Sequence, residues 1–217
     1  MTTSVSIGSK TIQDQSTFVT SVSVTHVNDG DYLVARVVLH GNGVVVSGIT
    51  ASYGGVAMSL SGQASDNSNF NYAFIFTLRG PAMGSNSLYV AWTGSARGSI
   101  IVSSLFGVGY PGAITYASNS GLSTPVTVTV NNTAVGYLVL DAVATVVTTG
   151  LGAGAGQISE KNSTITDVNV AASYKIATGT STTLTWTESV NRAWISVAMA
   201  FYGMEVGGIA VSPLYWI

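Results

Sequence analysis

The sequence predicts an all-β protein, a jelly-roll-like antiparallel β-sandwich with pseudo-duplicated halves and extended terminal arms. Three observations carry the prediction. Apolar and polar residues alternate with period two in Val22-Ser23-Val24-Thr25, in Val126-Thr127-Val128-Thr129-Val130 and in Leu184-Thr185-Trp186-Thr187. Such alternation gives a strand one buried and one wet face. Turn signals punctuate the chain at short spacing: Asn28-Asp29-Gly30, Gly41-Asn42-Gly43, Gly54-Gly55, Gly80-Pro81 and Pro111-Gly112. Frequent short strands between such turns suit a sandwich or barrel. Finally, the order of several features repeats between the two halves of the chain.

In chain order, residues 1–18 read as an N-terminal arm. The sandwich spans 19–203, with halves 19–107 and 125–203. Tyr32 to Leu39, Ile100 to Phe106, Tyr137 to Leu140 and Ala193 to Tyr202 are apolar on both faces and read as central strands. The last contains Ala198, Met199 and Ala200, which favour helix. It is still assigned as strand, because it follows Trp186-Thr187 as Ile100 to Phe106 follows Trp92-Thr93. The echo continues elsewhere. Gly30-Asp31-Tyr32-Leu33-Val34 matches Gly136-Tyr137-Leu138-Val139-Leu140, so the strands at Tyr32 and Tyr137 are expected to be equivalent, as are those at Trp92 and Trp186. Arg97 and Arg192 follow the two Trp-Thr pairs, and Phe106-Gly107 and Tyr202-Gly203 close the halves. Residues 204–217 form a C-terminal apolar arm.

Composition narrows the function. Of 217 residues only 7% are charged, against a usual ~25%. The net charge of −2 and the scarcity of Lys and Arg speak against a nucleic-acid partner. Gly, Ser, Thr and Val make up about half the chain, and 47% of residues are hydrophobic, which favours collapse over disorder. Cysteine is absent, so neither disulfides nor thiolate metal sites form. The opening Met1 to Lys10 lacks the basic and apolar regions of a secretory signal, and no apolar run is long enough for a membrane helix. The expectation is a protein made in the host cytoplasm, with no membrane partner. A surface so poor in charge is a colloidal risk for a free monomer, which points to a homo-oligomer or larger assembly.

Several segments carry a family resemblance. They are Tyr32-Leu33-Val34-Ala35-Arg36-Val37-Val38, Ile49 to Met58 with its Tyr53-Gly54-Gly55, Leu78-Arg79-Gly80-Pro81 with Gly84, Trp92-Thr93-Gly94-Ser95, and Leu105-Phe106-Gly107-Val108. Over about residues 19–203 the chain resembles a Gly/Ser/Thr/Val-rich β-sandwich module of tailed-phage virion proteins and large bacterial surface proteins. It departs from that pattern at Leu78-Arg79, where an aromatic before a plain proline turn is usual. The resemblance implies the sandwich fold and a structural or adhesive role. Its shared residues are turn glycines and core apolars, which carry no activity.

The residues offer little chemistry. His26 and His40 are the only histidines, and no Gly-x-Ser-x-Gly elbow accompanies them. The nine acids lie mostly in turns, except Asp141 inside an apolar strand. A buried carboxylate needs partners; Asp141 is expected to pair with an arginine such as Arg36 or Arg192, or to bind backbone donors. His26-Val27-Asn28-Asp29-Gly30-Asp31 has oxygen ligands for a hard cation but reads as a tight turn, with Gly30 at positive φ. Gly150 to Gly156 lacks the Lys-Ser/Thr of a phosphate loop and reads as a flexible loop over the sandwich end, forming with Gln157 to Asp167 the expected mobile segment. Tyr53, Tyr72, Tyr110 and Tyr116 lie near turns and are candidates for stacking on a glycan. No catalytic, cofactor-binding or metal residues are assigned. Ile209 to Ile217 is apolar and follows Gly207-Gly208. Within it Leu214, Tyr215, Trp216 and Ile217 are the candidate interface residues.

Together these readings lead to a non-enzymatic virion structural protein, foremost an outer capsid decoration or cement protein of a tailed phage. The alternatives are a tail or fibre component, or a carbohydrate-binding adhesive module. The expected partners are a capsid or tail protein of the same particle and further copies of the chain.

Overall fold

The computed structural model describes residues 4–109, 115–146 and 150–204. Every regular element among them is a strand. The first half holds β1 (Ser6–Asn28), β2 (Tyr32–His40), β3 (Ser47–Tyr53), β4 (Val56–Ala57), β5 (Ser59–Asp66), β6 (Asn71–Arg79) and β7 (Gly84–Phe106). The second holds β8 (Tyr116–Gly121), β9 (Val126–Asn131), β10 (Leu138–Thr145), β11 (Gly152–Ala153), β12 (Ile158–Ile165), β13 (Val168–Ile176), β14 (Ser181–Thr187) and β15 (Trp194–Phe201). All pairings are antiparallel. The chain is an all-β sandwich, as its alternation predicts.

The first half is one seven-stranded sheet folded over on itself. The leading part of β7 pairs with β3 and with Ser21–Asn28 of β1; its trailing part pairs with β2 and with Ser6–Gln15. The corner lies between, where the β1–β7 register shifts twice around Val19. Bulges of this kind let a strand change sheets. Gly98 sits at the corner because a Cβ there would fall on the Val38 carbonyl oxygen. Residues 6–18 are therefore not an arm. They are laddered along β7, because the Val19–Val24 alternation is only the visible end of a 23-residue strand.

The second half makes two sheets, β12-β13-β10-β15-β8 and β11-β14-β9. Apart from β4, the order of pairing among the described strands parallels that of the first half. There the order is β5-β6-β2-β7-β1 in one leaf and β3-β7-β1 in the other. The residue match is one position off, however. Tyr32 lies opposite Leu105 and Leu138 opposite Phe201, just before the closing aromatic-Gly pairs. Leu138, not Tyr137, thus stands where Tyr32 does. Tyr32 packs on Phe201 in the interior and Tyr137 packs on Tyr202.

Three cores result. Leu33, Ala35, Val37 and Leu39 of β2 face the folded-over leaf with Tyr53, Leu88, Val90 and Trp92. The alternate residues Tyr32, Val34 and Val38 face Leu138, Leu140, Ala142 and Phe201 across a central core between the halves. Val139 and Val143 of β10 point the other way, onto β9 and β14. This explains why β2 and β10 are apolar at consecutive positions: each separates two cores.

Candidate functional site

The scarce charges gather where the halves meet. Of seven basic and nine acidic side chains, four basic (Lys10, Arg36, Arg97, Lys161) and three acidic ones (Asp14, Glu160, Asp167) form ion pairs along one seam. Arg36 Nη2 is 2.7 Å from Glu160 Oε2, and Lys10 Nζ is 3.7 Å from Oε1. Arg97 pairs with Asp167, which also lies 3.8 Å from His40 Nε2. Lys161 Nζ is 2.6 Å from Asp14. Each pair joins β1, β2 or β7 of the first half to the β12–β13 hairpin of the second. The guanidinium of Arg97 also lies over the Phe18 ring, 4.4 Å from its centre.

Arg36 is the deepest group of the seam. Its side chain has no exposed surface and that of Glu160 is 3% exposed. Arg36 Nη1 donates to the backbone carbonyls of Asp141 and Ser173, both at 3.3 Å, and Nη2 donates to Ser103 Oγ at 3.1 Å. One side chain from β2 thereby satisfies acceptors on β10 and β13. A buried ion pair is worth little net, but breaking it strands a charge.

Behind Arg36 lies Asp141, fully buried on the opposite face of β10. Its Oδ1 accepts from Ser173 N at 2.6 Å and Ser173 Oγ at 2.8 Å; its Oδ2 accepts from Trp186 Nε1 at 2.7 Å. Burial raises its pKa to about 6, against the lowering pull of the Trp186 and Ser173 hydrogen bonds and the Arg36 charge. Of the two kinds of partner expected, the backbone donor is present in Ser173 N, whereas the arginine pair is not formed: Arg36 bonds the backbone carbonyl of Asp141 and gives its ion pair to Glu160. Arg192 stays exposed, unlike its sequence match Arg97.

The remaining sequence candidates resolve as follows. His26 is buried, with Nδ1 2.9 Å from Thr11 Oγ1 and Nε2 3.0 Å from Ser104 Oγ. Burial lowers its pKa, opposed by Asp29. Ser104 is itself fully buried, so this Ser-His pair has no surface on which to meet a substrate. Asn28 closes the turn as expected, bonding the Gly30 carbonyl and amide. Gly30 is not at positive φ; glycine is needed because a Cβ would strike the Leu105 carbonyl. Asp29 accepts from Ser9 N and Oγ, which hold its carboxyl below the usual range despite some burial. No three His, Asp or Glu side chains converge as a metal site among the described residues.

Two loop expectations are corrected. Gly152–Ala153 is a short strand on β14, and glycine fits there because a Cβ would press on Thr187. Gln157 to Asp167, the other part of the expected mobile segment, is β12 and its turn, and it supplies every charged group the second half brings to the seam's ion pairs. Among the tyrosines, Tyr53 and Tyr72 are buried, whereas Tyr116 is 54% exposed. Tyr110 lies outside the described residues. So do Leu214, Tyr215, Trp216 and Ile217, with the whole segment Ile209 to Ile217.

No family model, no curated protein and no solved structure matches the chain.

Proposed function

We propose that the protein is a non-enzymatic structural component of a virion, an outer decoration or cement protein bound to a capsid, with a tail or fibre position as the alternative. The observation that carries the reading is the placement of charge. The ion pairs lock the two halves to each other instead of dressing the surface, which leaves an outer surface rich in Ser, Thr and Gly and dotted with exposed Val45, Leu60, Val135 and Tyr116. A rigid, weakly charged body of this sort suits repeated contact with like neighbours more than free diffusion.

The strand order supports the same reading. If the two parts of β1 and of β7 are counted separately and β4 set aside, each half has eight segments, in the order 1-8-3-6-5 and 2-7-4. We read each as a jelly roll whose fifth strand has joined the other sheet, and the chain as two copies of one unit set back to back. Jelly rolls are common in capsid and lectin domains, so the fold alone leaves an adhesive module as a rival. Tyr116, exposed beside Gly62, is the feature a glycan would use.

Particle context tests the proposal. Lysates producing particles are banded on a density gradient and probed for the protein. Co-migration with capsids or tails, lost when the particles lack their outer proteins, is the expected result. A protein found only in the soluble fraction, or on cell envelopes free of particles, overturns it. Turnover in a glycan or ester hydrolysis screen, abolished by Asp141→Asn or His26→Ala, would overturn the non-enzymatic part.

A further inference from the structure

The chain leaves β2 through a β-turn of Gly41, Asn42, Gly43 and Val44, closed by Val44 N donating to Gly41 O at 3.0 Å. Asn42 at φ +40° and Gly43 at φ +87° have the signs of a type I′ turn, which calls for Asn and Gly in that order. The turn is fixed at its base, where Gly41 N donates to Phe70 O at 2.9 Å. Asn42, Gly43, Val44 and Val45 are exposed. Among the described residues neither the Asn42 carboxamide nor the Gly43 N–H has a hydrogen-bond partner. A Cβ built on Gly43 would meet nothing within 4 Å. An electrophilic carbon, a free backbone nitrogen and open space therefore stand together at the tip.

We propose that Asn42 is a site of spontaneous covalent modification, deamidation through a cyclic imide formed with Gly43. Hydroxide takes the proton from the Gly43 amide nitrogen, which attacks Asn42 Cγ. A new N–C bond closes a five-membered imide, and the carboxamide nitrogen leaves as ammonia, which carries a proton away and restores the hydroxide. Water then opens the ring at either carbonyl. One opening leaves aspartate at position 42; the other leaves isoaspartate, with the backbone running through the former side chain. Neither an oxidant nor a reductant takes part. Glycine matters at position 43 because a Cβ would crowd the attacking nitrogen and restrict its approach.

The rest of the fold shows how such a site is otherwise quenched. Asn-Gly occurs once in the sequence, and Asn-Ser, the next least hindered pair present, occurs four times. Ser68 N, which follows Asn67, is already donating to Asp66 Oδ1 at 3.0 Å. The carboxamides of Asn86 and Asn119 donate to Met83 O and Thr127 O. Asn162 holds both the amide and the carbonyl of Leu151. The related pair Asp29-Gly30 is tied twice: Ser9 holds the carboxylate, and Gly30 N donates to Asn28 Oδ1 at 3.3 Å. Asn42 has none of these restraints. Its products carry a carboxylate that is ionised at neutral pH, with an ordinary pKa of about 3.9. One negative charge is thus added to a formal net charge of −2, beside the exposed Val44 and Val45. The reaction needs no partner and does not depend on the assembly role proposed above.

Ageing of the full chain tests this. Folded protein is held at pH 7 and at pH 9, resolved by anion exchange, then digested for mass spectrometry. The expected result is a species with one more negative charge and a mass about 1 Da higher, from NH₂ replaced by OH. The change lies at residue 42, appears as two isomeric peptides, and forms at least tenfold faster at pH 9. Asn42→Gln, whose longer side chain would have to close a larger ring, should slow it at least tenfold, with a thermal melt verifying the fold. The peptide from Asn42→Asp should co-elute with one of the two products. Folded protein that keeps residue 42 unchanged at pH 9, and reacts there only after unfolding in urea, overturns the proposal. So does a first change at Asn67, Asn86, Asn119 or Asn162. Aspartate at position 42 with no isoaspartate would mean direct hydrolysis and would remove the role of Gly43.

Discussion

Trp92 and Trp186 end matching strands, β7 before its corner and β14, and both side chains are buried inside their own half. Their surroundings differ. Trp92 sits in a core of aliphatic and aromatic side chains, and its indole N–H has no partner among the described residues. Trp186 donates to the carboxylate of Asp141. The folded-over leaf of the first half has a seven-residue β3, where the second half has a two-residue β11. One order of pairing is thus supported by a broad apolar core in one half and by a thinner core with a buried acid in the other. The comparison teaches that the wind of strands tolerates either interior: an indole N–H left unpaired among apolar side chains in one half, and a buried carboxylate met by three donors in the other. It also locates the second half's dependence on the first, since Arg36 both feeds the carbonyls around Asp141 and supplies the nearby positive charge.

The largest expected effect comes from cutting that dependence. Arg36→Met leaves Glu160 buried, with only Lys10 at 3.7 Å to offset its charge. The expected loss is about 3–5 kcal/mol in urea unfolding. Adding Glu160→Gln to the same chain removes the stranded charge and should recover most of the loss. A double variant as unstable as the single one would mean that Arg36 matters for its carbonyl contacts and not for the ion pair.

Asp141 sharpens the contrast through pH. Its pKa of about 6 in the folded protein exceeds the ~3.9 of an unfolded chain, so between those values the native state binds the proton more tightly. Stability contributed by this group is therefore present at low pH and is lost as pH rises through 6. The full difference is about 3 kcal/mol. Asp141→Asn has no such proton. The stability of the natural chain minus that of the variant should fall between pH 4 and pH 7, as read from urea midpoints. The difference is the useful quantity, because Asp29 titrates in the opposite sense and cancels. A difference flat across this range would mean that Asp141 is ionised throughout at no cost. His26, lowered by burial, and Glu188, raised by burial, are present in both chains and cancel likewise, so the slope reports Asp141.

How much of this was legible in the sequence follows from what each residue signals locally. The strands were legible because alternation and double-sided apolar runs are set by neighbours in the chain. Even the run Ala193 to Tyr202, with its helix-favouring alanines, holds a strand, Trp194–Phe201, since burial on both faces outweighs propensity. Asp141 stood out as a charge inside an apolar run. The seam did not stand out. Glu160, Lys161 and Asp167 lie in a polar, glycine-flanked stretch that looks like solvent loop, and their partners Asp14, Arg36 and Arg97 are far away in sequence. The available signal was scarcity: in a chain with so few charges, consecutive Glu160 and Lys161 are costly ornaments unless they pair. Tyr53 and Tyr72 misled because both lie near turns. Their rings close the core at strand ends, and Tyr53 anchors there by donating to the carbonyls of His26 and Gly84.

The smallest effect is the most direct test of the two interiors. Trp186→Phe deletes the donor to Asp141 Oδ2 and leaves the carboxylate with Ser173 alone. A hydrogen bond to a charged group is worth about 1.5–3 kcal/mol, and the lost ring volume adds about 1. Trp92→Phe loses similar volume, but the N–H it removes was unpaired, so only the volume cost of about 1 kcal/mol remains. The pair should therefore differ by about 2 kcal/mol at pH 7, with Trp186→Phe the weaker protein. The gap should close as pH falls below the pKa of Asp141, because a protonated carboxyl needs the indole donor less. Equal losses for both tryptophans at pH 7 would show that the two halves are held by packing alone, and that the Asp141–Trp186 bond only offsets a burial cost of its own.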